Sequence, residues 1–356
     1  MDEKRIRILK KIEEGSLSAE EGAELLEAAD AQSRHEKQDG SVSTKVDWDQ
    51  GAQQKTKEKT KKKKSIMTYV EDAFHKIKNV DLDLNFGDHV SVSHIYHTED
   101  TFKQMDIQIS NGGLELKSWN EASVRLECEA KVYQTDDQDE ARKRFLKETD
   151  FKLEDGTLLF ASPSKKLKTD VVIYVPKGDY EEIHSKLFNG SITASELNCR
   201  EFNLKTTNGS ITMEGLRGDE CDAETSNGSI RAKQSAFDDF EADTVNGSVK
   251  LSGDFGKVDA SAVTGSVSCE YYGKKAHTGF FQTTTGSVRV KVPENVRVDG
   301  KLQTSMGSIK CDIDDAKIYK EKKEMIRKEL YFVINENYEQ AYHLEAETKT
   351  GSVKVE

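Results

Sequence analysis

A short motif built around glycine recurs through the second half of the chain at a nearly fixed interval. In each copy Gly is followed by Ser and then by Val or Ile, and the first four copies are preceded by Asn. The glycines of the series are Gly190, Gly209, Gly228, Gly247, Gly265, Gly286, Gly307 and Gly351. A period of about twenty residues is typical of solenoids, in which each repeat is one supersecondary unit stacked on the next. This repeat restricts the fold more than any other feature of the sequence.

Apolar and polar residues alternate between the glycines, as expected for strands that bury one face. Around Gly228, for example, Ala223 and Ile230 take inward positions, whereas Glu224 and Arg231 take outward ones. Each coil is therefore predicted to be a strand, a tight turn and a second strand. The Gly is expected to allow a backbone conformation that a Cβ would forbid, and the Ser to satisfy backbone groups at the corner. Because one coil cannot bury its own apolar face, neighbouring coils must stack.

The fold predicted from these patterns is mainly β: a parallel β-solenoid of about 19-residue coils, preceded by a small α-helical hairpin. The expected segments are a helical hairpin interaction module (1–30), a disordered Lys-rich linker (31–64), an amphipathic capping helix (65–79) and the solenoid (80–356). A longer step from Gly307 to Gly351 interrupts the coils. Within it, Lys317–Leu330 is helical in composition and Leu330–Ile334 is strand-like. This excursion is expected to cover the open end of the stack.

Residues 3–29 predict two short helices. Gly15 ends the first, and Ser18 with Glu21 forms a capping box for the second. A pair this small needs a surface on which to bury its apolar face, so we expect it to dock on a protein partner, on a second copy or on the body of the protein. The residues expected in that contact are Ile6, Leu9, Ile12, Leu25 and Leu26.

A run of lysines between Lys55 and Lys64 leads into an apolar stripe at helical spacing. Two interpretations of the stripe remain open. It can cap the first coil, since solenoids need covered ends. Alternatively, the lysines can contact an anionic membrane surface while the stripe inserts into it. The residues of this candidate membrane contact are Lys61, Lys62, Lys63, Lys64, Ile66, Tyr69, Val70, Phe74 and Ile77.

Composition narrows the class of protein and its expected location. The net charge of -12 at pH 7 argues against a nucleic-acid partner, which needs a basic footprint. Five cysteines, an odd count, fit a reducing compartment better than a disulfide framework. The N-terminus lacks the apolar segment of a signal peptide, and no apolar run is long enough for a membrane span. The expected location is the cytoplasm, with peripheral contact at the inner face of the membrane.

No catalytic, cofactor-binding or metal-binding residues are predicted. The sequence contains no phosphate-binding Gly-rich loop, zinc-protease helix, nucleophile elbow or metal-spaced Cys pair. On a strand, His94 would face away from His89 and His97, which disfavours a shared metal. Stacked Asn and Ser side chains are a candidate glycan-binding face, but the repeat itself explains them. The residues expected to be buried thiols, packed as small apolar groups, are Cys128, Cys199, Cys221, Cys269 and Cys311.

The coils from Phe188 to Val355, and the Val175–Pro176 step that leads into them, resemble the DUF4097 family of bacterial proteins, often described as candidate adhesins. The N-terminal pair resembles the helical module of the YvlB and LiaX group within that family. The resemblance implies a β-solenoid body and a link to the cell-envelope stress response of Gram-positive bacteria. It implies no catalytic residues and no cofactor.

The predicted function is that of a non-enzymatic scaffold or regulator of envelope stress, whose solenoid binds a protein or an envelope component. Two alternatives from other classes remain open. The first is a surface adhesin or glycan-binding rod. The second is a β-helix enzyme acting on polysaccharides, which would need a groove lined by acidic side chains with perturbed pKa values.

Overall fold

The structure, a computed structural model, describes residues 87–324 and 327–356. The predicted helical pair, the linker and the amphipathic helix fall outside these residues and stay predictions. The described part of the chain consists mainly of β-strands and contains one α-helix, in agreement with the mainly β prediction.

The N-terminal elements are β1 (His89–Thr98), β2 (Gln104–Asn111), β3 (Leu114–Trp119), β4 (Val124–Tyr133), α1 (Gln138–Glu148), β5 (Asp150–Glu154), β6 (Thr157–Ser162) and β7 (Leu167–Pro176). The regular coils follow as β8 (Asp179–Asn189), β9 (Ile192–Ser195), β10 (Asn198–Asn208), β11 (Ile211–Glu214), β12 (Arg217–Asn227), β13 (Ile230–Asn246), β14 (Val249–Thr264) and β15 (Val267–Tyr271). The C-terminal elements are β16 (Thr278–Thr285), β17 (Val288–Lys291), β18 (Arg297–Met306), β19 (Ile309–Cys311), β20 (Lys317–Glu324), β21 (Arg327–Ile334), β22 (Ala341–Thr350) and β23 (Val353–Val355).

A long strand precedes the glycine turn of each regular coil and a short strand follows it, except that β13 and β14 each run unbroken from one glycine turn to the next. Equivalent strands of neighbouring coils pair in parallel. The long strand β10 pairs with β8 and β12, and the short strand β11 pairs with β9 and β13. Equivalent residues are 19 apart at Asn189 and Asn208, 18 apart at Ser248 and Ser266, and then 21 apart at Ser287. Alternate residues of each strand are buried. The described residues therefore form a parallel β-solenoid.

The last coil of the chain is not the last coil of the stack. The strands β22 and β23, which flank Gly351, pair in parallel with β16 and β17 on one side. On the other side they pair in parallel with β18 and β19. The coil at Gly351 therefore lies between the coils at Gly286 and Gly307, and stacking order differs from sequence order at this end.

A β-hairpin occupies the segment in which we predicted a helix. The strands β20 and β21 pair antiparallel with each other, and β21 also pairs antiparallel with β18. The helical prediction for Lys317–Leu330 is wrong. Its many Lys and Glu residues favour a helix in isolation, but the open edge of β18 offers backbone groups that a strand satisfies. The hairpin covers that edge, as expected of the excursion, and Leu330–Ile334 is a strand as predicted.

At the opposite end, the stack extends beyond the predicted coils. The strands β2 and β3 flank Gly112 and pair in parallel with β8 and β9, so they form an additional coil. Antiparallel strands continue the sheet, with β4 beside β7 and β1 beside β4. The helix α1 packs on these strands and buries Ala141 and Phe145. It begins after Asp137, whose side chain accepts the Glu140 N–H and caps the helix.

Aromatic rings form a continuous row inside the solenoid. The row runs through Phe202, Phe237, Phe240, Phe255, Tyr271 and Tyr342. The Tyr342 hydroxyl donates to the Tyr271 oxygen at 3.0 Å. Beside it, a Cβ on Gly279 would lie 2.0 Å from the Tyr342 oxygen. A small residue in one coil thus makes room for a large one in the next, so the core is filled by complementary rather than identical side chains.

Candidate functional site

Most residues that the sequence singles out for contact with a partner or membrane precede residue 87. The docking residues from Ile6 to Leu26 and the candidate membrane contact from Lys61 to Ile77 all lie outside the described residues. Within the described part of the chain, no helix is both long and apolar enough to span a bilayer. The candidate surfaces that can be described are therefore those of the solenoid.

The turn glycines touch one another from coil to coil. A Cβ on Gly209 would lie 2.0 Å from the carbonyl oxygen of Gly190, and one on Gly247 would lie 1.8 Å from that of Gly228. At Gly265 the backbone also has a φ of +143°, which residues with a Cβ rarely adopt. Close approach of stacked backbones thus accounts for glycine at these turns, and positive φ adds to it at some of them.

The Asn and Ser side chains of the turns form hydrogen bonds with the equivalent Asn or Ser of a neighbouring coil. The Asn208 amide donates to the Asn189 side-chain oxygen at 2.7 Å. The Ser210 hydroxyl oxygen accepts the Ser229 backbone N–H at 3.2 Å. Because these contacts hold coil to coil, a glycan is not needed to explain the two columns.

A column of buried threonines completes the turns. Each lies three residues before a turn glycine and donates its hydroxyl to the glycine carbonyl of the neighbouring coil. Thr225 makes this bond to Gly209 at 2.8 Å, and Thr244 makes it to Gly228 at 2.8 Å. The same bond is made by Thr206, Thr283, Thr304 and Thr348. The Gly-Ser turn motif and its threonine therefore serve to hold neighbouring coils together.

One outward face of the long strands is strongly acidic, and we call it the acidic face. Its residues are Glu182, Glu201, Glu220, Asp222, Glu224, Asp239, Glu241, Asp243 and Asp259. Lys205 bridges Asp222 at 2.9 Å and Glu224 at 3.2 Å. Lys257 pairs with Asp239 at 2.8 Å. These lysines offset only part of the negative charge.

Crowding of carboxylates on the acidic face changes their protonation. Burial, together with Glu241 and Asp259, raises the pKa of Asp243 to about 7, although a hydrogen bond from the Ser261 hydroxyl opposes the shift. Burial and neighbouring carboxylates also raise the pKa of Glu241. The charge of this face is therefore sensitive to pH near neutrality.

The strand segments that directly follow the glycine turns carry a row of outward cations, which we call the cationic column. In stacking order its cations are Arg231, Lys250, Arg289, Lys354 and Lys310, with Ser268 between the second and the third. Arg231, Lys250 and Arg289 make no ion pair within the described residues. Lys354 pairs with Glu356 and lies 3.5 Å from Asp312, and Lys310 pairs with Asp312 at 3.0 Å. Arg231 stands directly beside Lys250, and Arg289 beside Lys354. Like charges on adjacent strands are unfavourable, so folding does not explain the three unpaired cations of this column.

The cysteines and histidines do not form a reactive or metal-binding cluster in the described residues. Cys128, Cys199, Cys221 and Cys269 are buried, as predicted, and Cys311 is half-buried. Burial raises the pKa of Cys128 to about 12 and that of Cys199 to about 12. These thiols therefore stay protonated and unreactive at neutral pH. Across 87–324 and 327–356, no three His, Cys, Asp or Glu side chains are grouped as a metal would require.

A shallow cleft of about 520 Å³ lies beside the loops that follow β1, β3 and β7. Phe102 stacks on Tyr180 there, with 5.5 Å between ring centroids. The Lys103 ammonium donates to the Asp179 carbonyl at 2.9 Å. Phe102 and Lys103 are thus engaged in contacts with the wall of the cleft itself. The two charged faces are the stronger candidates.

Neither charged face was identified from the sequence, although the signal was present in it. The outward residues alternate with the inward residues that define the core, so writing them coil by coil brings Arg231, Lys250 and Arg289 into one column. The rest of the column could not be found in this way. Lys354 stands between Arg289 and Lys310 only because the last coil inserts into the stack.

Comparison with known proteins gave family and sequence matches over most of the chain. The family described as Toastrack DUF4097 matches residues 102–356, and the family described as SHOCT-like domain matches residues 3–33. The uncharacterized protein YvlB of Bacillus subtilis (strain 168) is 39% identical over 360 residues, which cover 100% of this chain and 99% of YvlB.

Solved structures that match about three quarters of this chain share little sequence with it. A "putative adhesin" from Bacteroides fragilis is 11% identical with a TM-score of 0.45, and the match covers 75% of this chain and 97% of that one. A "putative lipid binding protein" from Parabacteroides distasonis is 12% identical with a TM-score of 0.38, and the match covers 76% of this chain and 98% of that one.

Proposed function

Because this chain belongs to the Toastrack DUF4097 family, we propose that it is a non-enzymatic scaffold or regulator of the envelope stress response. Its solenoid binds a protein or an envelope component, and its N-terminal helical pair docks a second partner or a second copy. The protein acts in the cytoplasm, peripherally at the inner face of the membrane. Nucleic acid is not among its partners.

The observation that carries this proposal is the separation of outward charge into an acidic face and a cationic column. The polar groups of the turn motif already form hydrogen bonds between coils, such as the bond from the Thr225 hydroxyl to the Gly209 carbonyl. The sides of the solenoid, in contrast, present long charged rows on a rigid surface. Such rows suit recognition of an extended partner rather than of a small molecule.

A non-enzymatic role agrees with the geometry of the carboxylates. An enzyme that hydrolyses polysaccharide needs two carboxylates on opposite sides of the scissile bond. Glu241 and Asp243, the acids with raised pKa values, are two residues apart on one outward side of β13. They thus lie side by side on a strand surface rather than across a groove.

Cell fractionation with and without envelope stress tests the proposal. The full-length protein is followed by immunoblotting after treatment with an antibiotic that damages the envelope, beside a cytosolic marker. We expect stress to increase the share recovered with the envelope. Strictly cytosolic protein under both conditions would contradict an envelope role. Digestion of the protein by protease added to intact cells would instead favour the surface adhesin.

A further inference from the structure

We propose that the cationic column binds a linear, base-free polyanion whose charges are phosphate groups and whose chain lies along the axis of the solenoid. Paired strands lie about 4.8 Å apart, so the column extends for about 24 Å from Arg231 to Lys310. The inference goes beyond the proposed function because it assigns a ligand class to one surface. Its test in solution does not depend on where the protein acts in the cell.

The column places like charges next to one another, and its first three cations, Arg231, Lys250 and Arg289, make no ion pair within the described residues. Arg231 and Lys250 are partners in the register of adjacent strands, as are Arg289 and Lys354. Repulsion between Arg231 and Lys250 raises the energy of the unbound protein, whereas Asp312 and Glu356 offset part of the repulsion at Lys354. A chain of phosphates along the column would neutralise the unpaired cations, which is the feature expected of a polyanion site.

Serine hydroxyls run beside the cations on the same outward side. The oxygens of Ser229 and Ser248 accept the backbone N–H of the next serine at 3.2 Å and 3.3 Å. Their own hydroxyl protons have no acceptor within the described residues and are free to donate. Hydroxyl donors next to Arg and Lys form the combination that binds phosphate oxygens.

The width of the site favours a single chain over a membrane surface. On the other side of the cations runs a row of mixed charge, in which Glu214, Glu270, Glu356 and Asp312 are interspersed with Lys233 and Lys291. Lys291 pairs with Glu270 at 2.7 Å, so the excess of positive charge is confined to the line of the column. A single chain can lie along that line, whereas a broad anionic surface would also press against the carboxylates.

The chemistry of the face favours a polymer without bases. Proteins that bind single-stranded nucleic acid stack the bases on aromatic side chains. The outward positions of the serine, cation and carboxylate rows contain no aromatic residue. Phosphate groups are therefore the part of a polymer that this surface can recognise.

Long-chain inorganic polyphosphate is the probe for the test. Its binding to the full-length chain is measured by fluorescence anisotropy, in a background in which Lys61, Lys62, Lys63 and Lys64 are changed to Gln to remove their contribution. The column variant carries Arg231→Gln, Lys250→Gln and Arg289→Gln. The matched helix variant carries Arg142→Gln, Lys143→Gln and Lys147→Gln, exposed residues of α1 with the same total charge.

We expect the column variant to bind polyphosphate at least about tenfold more weakly and with a shallower salt dependence, and the helix variant to change affinity by less than about twofold. Equal losses in both variants, or no loss in the column variant, would overturn the proposal. Equally column-dependent binding of single-stranded DNA or of phosphatidylglycerol vesicles would overturn the choice of ligand. Thermal unfolding checks that the column variant folds, and Arg231→Gln alone replaces it if it does not.

Discussion

A Cβ on Gly228 would lie 1.9 Å from the carbonyl oxygen of Gly209, far closer than two such atoms can approach. The same oxygen accepts the Thr225 hydroxyl at 2.8 Å. One backbone carbonyl therefore accounts for two residues of the repeat. It requires glycine in the next coil by contact, and it selects threonine by hydrogen bonding.

Replacing Gly228 with Val is expected to lower the free energy of unfolding by more than about 2 kcal/mol, because the stacked backbones must separate to admit the side chain. Chemical denaturation measures the loss. The matched control is Gly178→Val, since a Cβ at Gly178 would meet nothing within 4 Å. Equal stability of the two variants would contradict the close approach of the coils.

Removing the threonine hydroxyl is expected to destabilise the protein through the carbonyl that it leaves unpaired. Thr225→Val should lower the free energy of unfolding by about 1–3 kcal/mol, because Thr225 is buried and Val cannot donate to Gly209. The control is Thr212→Val, at an outward position of β11. A loss no greater at Thr225 than at Thr212 would show that the threonine column is not structural.

The pKa of Asp243 makes stability depend on pH. Folding raises this pKa from an ordinary 3.8 to about 7, so the folded state holds the proton more tightly. The resulting stabilisation is complete below pH 3.8 and is lost as pH rises through about 7. Asp243→Asn stays neutral, so the stability of the variant relative to the wild type should be greater at pH 8 than at pH 5.

Thermal unfolding of both proteins at the two pH values measures this difference. Asp219→Asn, at an exposed position of β12, is the control and should show no such pH dependence. A stability difference between Asp243→Asn and the wild type that is the same at pH 5 and pH 8 would mean that Asp243 does not titrate in this range.

The cysteines are expected to differ in reactivity according to burial. Cys311 is half-buried, whereas the other cysteines are buried, so one thiol should react with a disulfide reagent well before the rest. Burial also raises the pKa of Cys311, so even this reaction should be slow at neutral pH. Cys311→Ser should abolish the early reaction in the native protein. Early modification of several thiols would contradict the burial of Cys128 and Cys269.

Much of the fold could be predicted from the sequence because the spacing of the repeat shows which residues are equivalent from coil to coil. The alternation around Gly228 separates inward from outward residues, and the Gly-Ser-Ile/Val spacing marks the corners. Prediction from local composition failed where pairing with a strand distant in sequence determined the secondary structure. Lys317–Leu330 forms strands because β18 presents an open edge to it, and no property of the segment alone reveals that edge.

The candidate site was harder to predict because it depends on stacking order. The most visible motif, Asn-Gly-Ser, uses its side chains for hydrogen bonds between coils, such as the bond from Asn208 to Asn189. The outward cations are separated along the chain and meet only in the stack, where Lys354 stands between Arg289 and Lys310. A binding surface formed by such columns cannot be recognised from any short segment of the sequence.

Recovery of the column variant with the envelope of stressed cells tests most directly whether this protein acts through its outward charge rather than through its repeated motif. The wild type and the helix variant should move to the envelope fraction under stress. The column variant, lacking the cations of Arg231, Lys250 and Arg289, should remain at the level seen in unstressed cells. Equal recovery of the column and helix variants would contradict a role for the cationic column in the cell.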